Sequence, residues 1–180
     1  MNEEKKQNFW SKAGSGGLIL GGVSIAYFLT GILLQKAGVP QIAMSVSSVF
    51  LWILKFAGCI YLMWFFLKTE AASNGRERSG VFKYGMGLAL CSALVYSAFY
   101  FAWVLFVQPD FFDQTFDALM QAYSQFLPAE SLESIANMKS SMPTVSFFTN
   151  LIWCWLYGTI LSAILSSSLC RQDNPFAEGE

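Results

Sequence analysis

The sequence predicts an all-α polytopic membrane protein: a four-transmembrane-helix bundle with an amphipathic helical outer loop between helices 3 and 4. Three observations carry that prediction. Hydrophobic residues make up 54% of the 180-residue chain and charged residues only 13%, against roughly 25% charged in soluble chains. The apolar residues gather into four runs, each long enough to cross a ~30 Å hydrocarbon layer at about 1.5 Å per residue. Most Lys and Arg residues fall on one side of those runs.

The runs cover residues 15–35, 43–67, 84–107 and 145–169, and only the second contains a charge, Lys55. Helix is the expected state, because an open strand in lipid leaves its N–H and C=O groups unpaired. The apolar part of the first run, Leu18 to Leu34, exceeds a secretory h-region of about 7–15 residues. No A-x-A site follows it, so it is expected to be retained as a span. Residues 1–180 thus read as a single membrane domain. Gly38–Val39–Pro40 predicts a tight turn, and Thr69 to Phe82 a polar connection broken at Asn74–Gly75. Residues 108–144 form the one long loop.

Orientation follows from the basic residues. Lys5, Lys6, Lys12, Lys68, Arg76, Arg78, Lys83 and Arg171 lie on the side of the termini, and Lys36 and Lys139 on the other. This bias predicts that both termini are cytoplasmic. Trp10, Trp64, Phe65, Phe66 and Phe82 suit aromatic anchors at the inner boundary, and Trp103 and Phe106 at the outer one.

Several function classes are disfavoured. The chain has no histidine, which removes the commonest general base and metal ligand. Cys59, Cys91, Cys154 and Cys170 form no CxxC pair and fall in or at the end of apolar runs, as small hydrophobes do. A net charge of −1 gives no basic field for nucleic acid. No catalytic residue, metal site or cofactor is expected, and the protein is not expected to be an enzyme. The oligomeric state is left open.

A glycine-rich first span (Gly16–Gly17–Leu18–Ile19–Leu20–Gly21) is followed by Phe82–Lys83–Tyr84–Gly85–Met86–Gly87 at the third span. An outer Pro109–Asp110–Phe111 and a terminal Asn174–Pro175–Phe176 complete the series. In order and spacing these resemble the bacterial membrane family catalogued as domain of unknown function 4199. The resemblance implies a four-span protein of the bacterial cytoplasmic (inner) membrane and supplies no catalytic or ligand residue. It also points to a polyprenyl-phosphate-type glycosyltransferase as partner, since such enzymes are often encoded near family members.

Three features could carry function. Lys55 is a cation inside a span, where charge costs about 2.5–3.5 kcal/mol on insertion scales. Helical spacing places Ser48, Gly58 and Cys59 on its side. Hydroxyls at its depth are Ser24 and Tyr27, Tyr96 and Ser97, and Tyr157 and Thr159. Lys55, Tyr27, Tyr96, Ser97 and Tyr157 form a candidate polar seam. The bland alternative is that Lys55 snorkels to the outer headgroups.

The second feature is small residues at intervals of four: Gly17–Gly21 and Gly22–Ala26–Thr30, Gly85–Ala89–Ala93–Ser97, and Asn150 through Cys154, Gly158, Ser162 and Ser166 to Cys170. Such rows let helix backbones approach closely, so internal packing is expected of them. The third is the outer loop. Phe112, Phe116, Leu119, Tyr123 and Phe126 recur at three and four, opposite Asp113, Asp117 and Gln121. Asp110 is the expected N-cap, and a shorter helix is expected from Ala129 to about Lys139. Phe112, Phe116 and Tyr123 form a candidate outer interface that caps the bundle or meets another protein.

Together these suggest a non-enzymatic accessory or scaffold subunit that binds a membrane-protein partner in the bilayer. The alternative is a small carrier or flippase for a lipid-linked or amphipathic anionic substrate.

Overall fold

The computed structural model describes residues 3–37, 41–73, 77–123 and 141–170. The described residues are almost entirely helical: α1 (Glu3–Lys36), α2 (Gln41–Ser73), α3 (Arg78–Phe106), α4 (Phe111–Tyr123) and α5 (Met142–Cys170). Four of them are long and apolar enough to cross a membrane, over Phe9–Leu34, Ser45–Ser73, Arg78–Phe106 and Met142–Cys170. The expected turn at residues 38–40, the second loop helix at 129–139 and the tail from 171 lie outside the described residues.

Local chemistry sets the ends. Pro109 has no N–H and pushes the residue before it out of helical space. α3 accordingly closes with the N–H groups of Val107 and Gln108 both donating to the Trp103 carbonyl, at 2.8 and 3.2 Å. The chain restarts at once: the Gln114 N–H donates to the Asp110 carbonyl at 2.9 Å, placing Asp110 at the N-cap of α4. Pro143 falls in the first turn of α5, where the missing N–H has no helical partner to lose.

The connection between α2 and α3 is shorter than the expected Thr69 to Phe82. Helix continues to Ser73 and resumes at Arg78. Polar residues end an apolar run but need not end a helix, and here the added turns are packed: Glu70, Ala71 and Val81 are buried.

α3 is the centre of the bundle, packing along both α1 and α5, while α2 touches all three. In lipid the gain from this is close packing, since tails are as apolar as leucine. A Cβ added at Gly17 would lie 2.5 Å from the Cys91 Cβ, and one at Gly21 2.9 Å from Val95, so α1 and α3 run parallel and nearly backbone to backbone. α3 and α5 mesh in the opposite sense. A Cβ at Gly85 would collide with the Ser162 side chain, and one at Gly158 would lie 2.5 Å from the Ala89 Cβ. These are the small-residue rows of the third and fourth spans, and they face each other. The second row of α1 does not share that role, for a Cβ at Gly22 would meet nothing within 4 Å.

α2 is held unevenly. Met63, Leu67, Glu70 and Ala71 in its second half are buried, whereas Val46, Val49, Phe50, Ile53 and Leu54 in its first half are exposed. The exposed apolar surface is what a bilayer covers and water would not tolerate.

Candidate functional site

The uneven grip on α2 leaves a cavity of about 240 Å³ among all four long helices. Its lining explains its existence. Ser24 of α1, Cys59 of α2, Ala89 and Ser92 of α3, and Cys154 and Gly158 of α5 are all small. Small side chains on every wall cannot fill the space that the bulky residues of α2 hold open.

Lys55 projects into this space. It lies ten residues from the Ser45 end of a 29-residue apolar helix, which is ~15 Å along the helix axis. Its Nζ stands 4.8 Å from the centroid of the Tyr27 ring and 5.4 Å from that of Tyr96. Both are within the ~6 Å over which a ring face attracts a cation, at about 0.5–2 kcal/mol each. No carboxylate pairs with Lys55 among the described residues.

One wall is aromatic and faces outward. The Trp52 and Phe56 rings stack at 5.5 Å, and Phe56 reaches across to Tyr157 of α5 at 5.7 Å. All three are exposed, so this wall of the cavity is the one that faces the lipid, on the side of α2 and α5.

The seam residues therefore part company. Lys55, Tyr96 and Tyr157 line the cavity, and Tyr27 meets the ammonium from α1. Ser97 does not join them. It is fully buried on the row begun by Gly85 and Ala89, and its Oγ has no hydrogen-bond partner. Thr159 is committed to its own helix, donating to the Trp155 carbonyl at 2.8 Å. Ser48, expected on the side of Lys55, is exposed. Ser92, Trp52, Phe56 and Cys154 were not singled out for this site by sequence. For Ser92 and Cys154 the size pattern was a hint, small residues on α3 and α5 at the level of a lone cation; for Trp52 and Phe56 there was none.

Sequence reasoning also missed Glu70. Its side chain is one-tenth exposed and pairs with Lys12 of α1 at 3.5 Å. The Tyr84 hydroxyl leans toward the Lys12 carbonyl at 3.5 Å, and Phe9 packs edge-on against the Tyr84 ring at 6.1 Å. The signal was present, since Met63, Leu67 and Glu70 follow the spacing of one buried face. Nearby, Arg78 donates to the Ser167 hydroxyl at 2.6 Å, tying α3 to α5. Fifteen residues separate Glu70 from Lys55, which is ~22 Å of helix. It cannot serve as the counter-ion.

In α4 Phe116 is only 5% exposed, while Asp113, Asp117 and Gln121 face outward. Phe116 is thus spent within the chain rather than offered at the surface. The side chains of Phe112 and Tyr123 lie outside the described residues. Among the described residues no group of three His, Cys, Asp or Glu is placed to hold a metal ion.

Four long apolar helices, three of them packed about a central α3, define a polytopic helical membrane protein. The chain belongs to the family described as Protein of unknown function (DUF4199), whose signature matches residues 16–171, from the contact of α1 with α3 to the end of α5. Neither the curated proteins nor the solved structures yield a match.

Proposed function

We propose that this protein is a non-enzymatic membrane protein that holds the anionic headgroup of an amphipathic molecule against Lys55. The observation that supports this best is an ammonium inside an apolar span and between two tyrosine rings, in a cavity of about 240 Å³ and with no carboxylate paired to it among the described residues. A cation in that position gains more from an arriving anion than one already neutralised, because a low-dielectric surrounding strengthens the attraction. The exposed wall of Trp52, Phe56 and Tyr157 gives the apolar part of the molecule a surface to lie against in the bilayer.

The membrane in this reading is the bacterial cytoplasmic membrane, with both termini inside, on the distribution of Lys and Arg. Four unbroken helices favour holding over the interrupted-helix transport used by many carriers. The accessory-subunit reading keeps one supporting observation. The first half of α2 exposes Val46, Val49, Phe50, Ile53 and Leu54 and packs little against the other described residues, a face on which a membrane partner such as a glycosyltransferase could lie.

Purification in mild non-ionic detergent, followed by mass spectrometry of what comes along, separates the two. Acidic lipid enriched over bulk membrane and lost in Lys55→Met supports the binding role. A stoichiometric protein that stays in Lys55→Met, without enriched lipid, supports the subunit role instead.

A further inference from the structure

We infer that the headgroup accepted at Lys55 carries a single negative charge, as a phosphodiester or a carboxylate does, and that doubly charged phosphomonoesters are excluded. This rests on the anion-binding reading above and narrows it to a chemical class.

Among the described residues, Lys55 is the only basic one lining the cavity. The remaining polar groups there are neutral: the hydroxyls of Ser24, Ser92, Tyr96 and Tyr157, and the thiols of Cys59 and Cys154. Among the described residues no second cation joins it: Lys36, nine residues beyond Tyr27 on α1 and hence ~13 Å along the helix, is exposed. Lys68, thirteen residues along α2 and hence ~20 Å away, stands over the Trp64 ring at 4.6 Å. Lys12 is paired with Glu70.

One ammonium neutralises one charge. A second negative charge would have no ionic partner among largely apolar walls, and burying an unpaired charge is costly. A phosphomonoester, whose second pKa is near 6, brings that second charge at neutral pH.

Size points to a lipid as the source. At about 30 Å³ per water, a volume near 240 Å³ holds a headgroup but no whole lipid. The chain must stay outside, against the exposed Trp52, Phe56 and Tyr157.

The test compares ligands with one common oleoyl chain on the full protein in non-ionic detergent, by native mass spectrometry. Lysophosphatidylglycerol supplies a phosphodiester, lysophosphatidic acid a phosphomonoester, monoolein no charge, and glycerophosphoglycerol the headgroup without a chain. At about pH 8 the phosphodiester should bind roughly tenfold or more tighter than the monoester. At about pH 5, where the monoester has regained a proton, the gap should close. Lys55→Met should remove the preference for lysophosphatidylglycerol over monoolein, and Lys55→Arg should keep it. The wild-type comparison stands even where a variant fails to fold.

Equal or tighter binding of the monoester at pH 8 would overturn the single-charge rule and leave the anion site standing. Binding of neither charged lipid above monoolein would overturn both. Glycerophosphoglycerol binding as tightly as its lipid would overturn the lipid source.

Discussion

The Lys55 ammonium lies 4.8 Å from the centroid of the Tyr27 ring, so a residue of α2 is held by the face of an aromatic on α1. The contact crosses the cavity-bearing half of the bundle, where α2 has few other holds.

If the ring face is what matters, Tyr27→Phe should be nearly neutral and Tyr27→Leu should cost about 0.5–2 kcal/mol. Thermal unfolding in detergent gives the order. Equal losses in both variants would assign the effect to the hydroxyl instead.

The glycines make a sharper pair. Gly158→Ala places a methyl 2.5 Å from the Ala89 Cβ, and with backbone close behind it should cost about 1–3 kcal/mol as overpacking. Gly22→Ala meets nothing within 4 Å and should be neutral or stabilising by up to about 1 kcal/mol, from helix propensity alone. A stable Gly158→Ala protein would mean that α3 and α5 are farther apart than described.

The Lys12–Glu70 pair joins α1 to α2 at 3.5 Å, but the Lys12 side chain is 57% exposed. Solvent screening therefore limits the coupling. A double-mutant cycle with Lys12→Met and Glu70→Gln should give no more than about 1 kcal/mol, shrinking as salt is raised. A coupling that ignores salt would place the pair in a drier setting than its exposure indicates.

Single cysteines, introduced after replacing the four native ones with alanine, test the proposed orientation and the docking of α4 together. Cysteine at Asp113, which is exposed on α4, should react with an impermeant maleimide in intact cells. Cysteine at exposed Ala72, near the end of α2, should react only after permeabilisation. Cysteine at Phe116 should stay slow throughout, because that position is 5% exposed. The reverse pattern for Asp113 and Ala72 would invert the topology.

What could be read from the chain followed from local chemistry. Four helices long enough to span are written in four uninterrupted apolar runs, since length and apolarity alone decide whether a segment can cross lipid. The start of α4 at Asp110 is written beside Pro109. The meeting of Gly85 and Ala89 with Gly158 and Ser162 was anticipated in kind, because small residues every four place one flat face on a helix. Glu70 was passed over because an apolar-run criterion stops at the first charges, whereas the helix continues as long as its inner face is packed.

Which faces meet was decided by the tertiary structure. Sequence placed Tyr96, Ser97, Tyr157 and Thr159 at one depth but could not rank them, because depth is a property of one helix and azimuth a property of a pair. The packed bundle turns Tyr96 and Tyr157 to the cavity, buries Ser97, and leaves Thr159 on its own backbone. The cavity has the same origin. Close glycine contacts draw α1 and α5 onto α3, and bulky α2, lacking such a row at the level of Lys55, cannot follow them in.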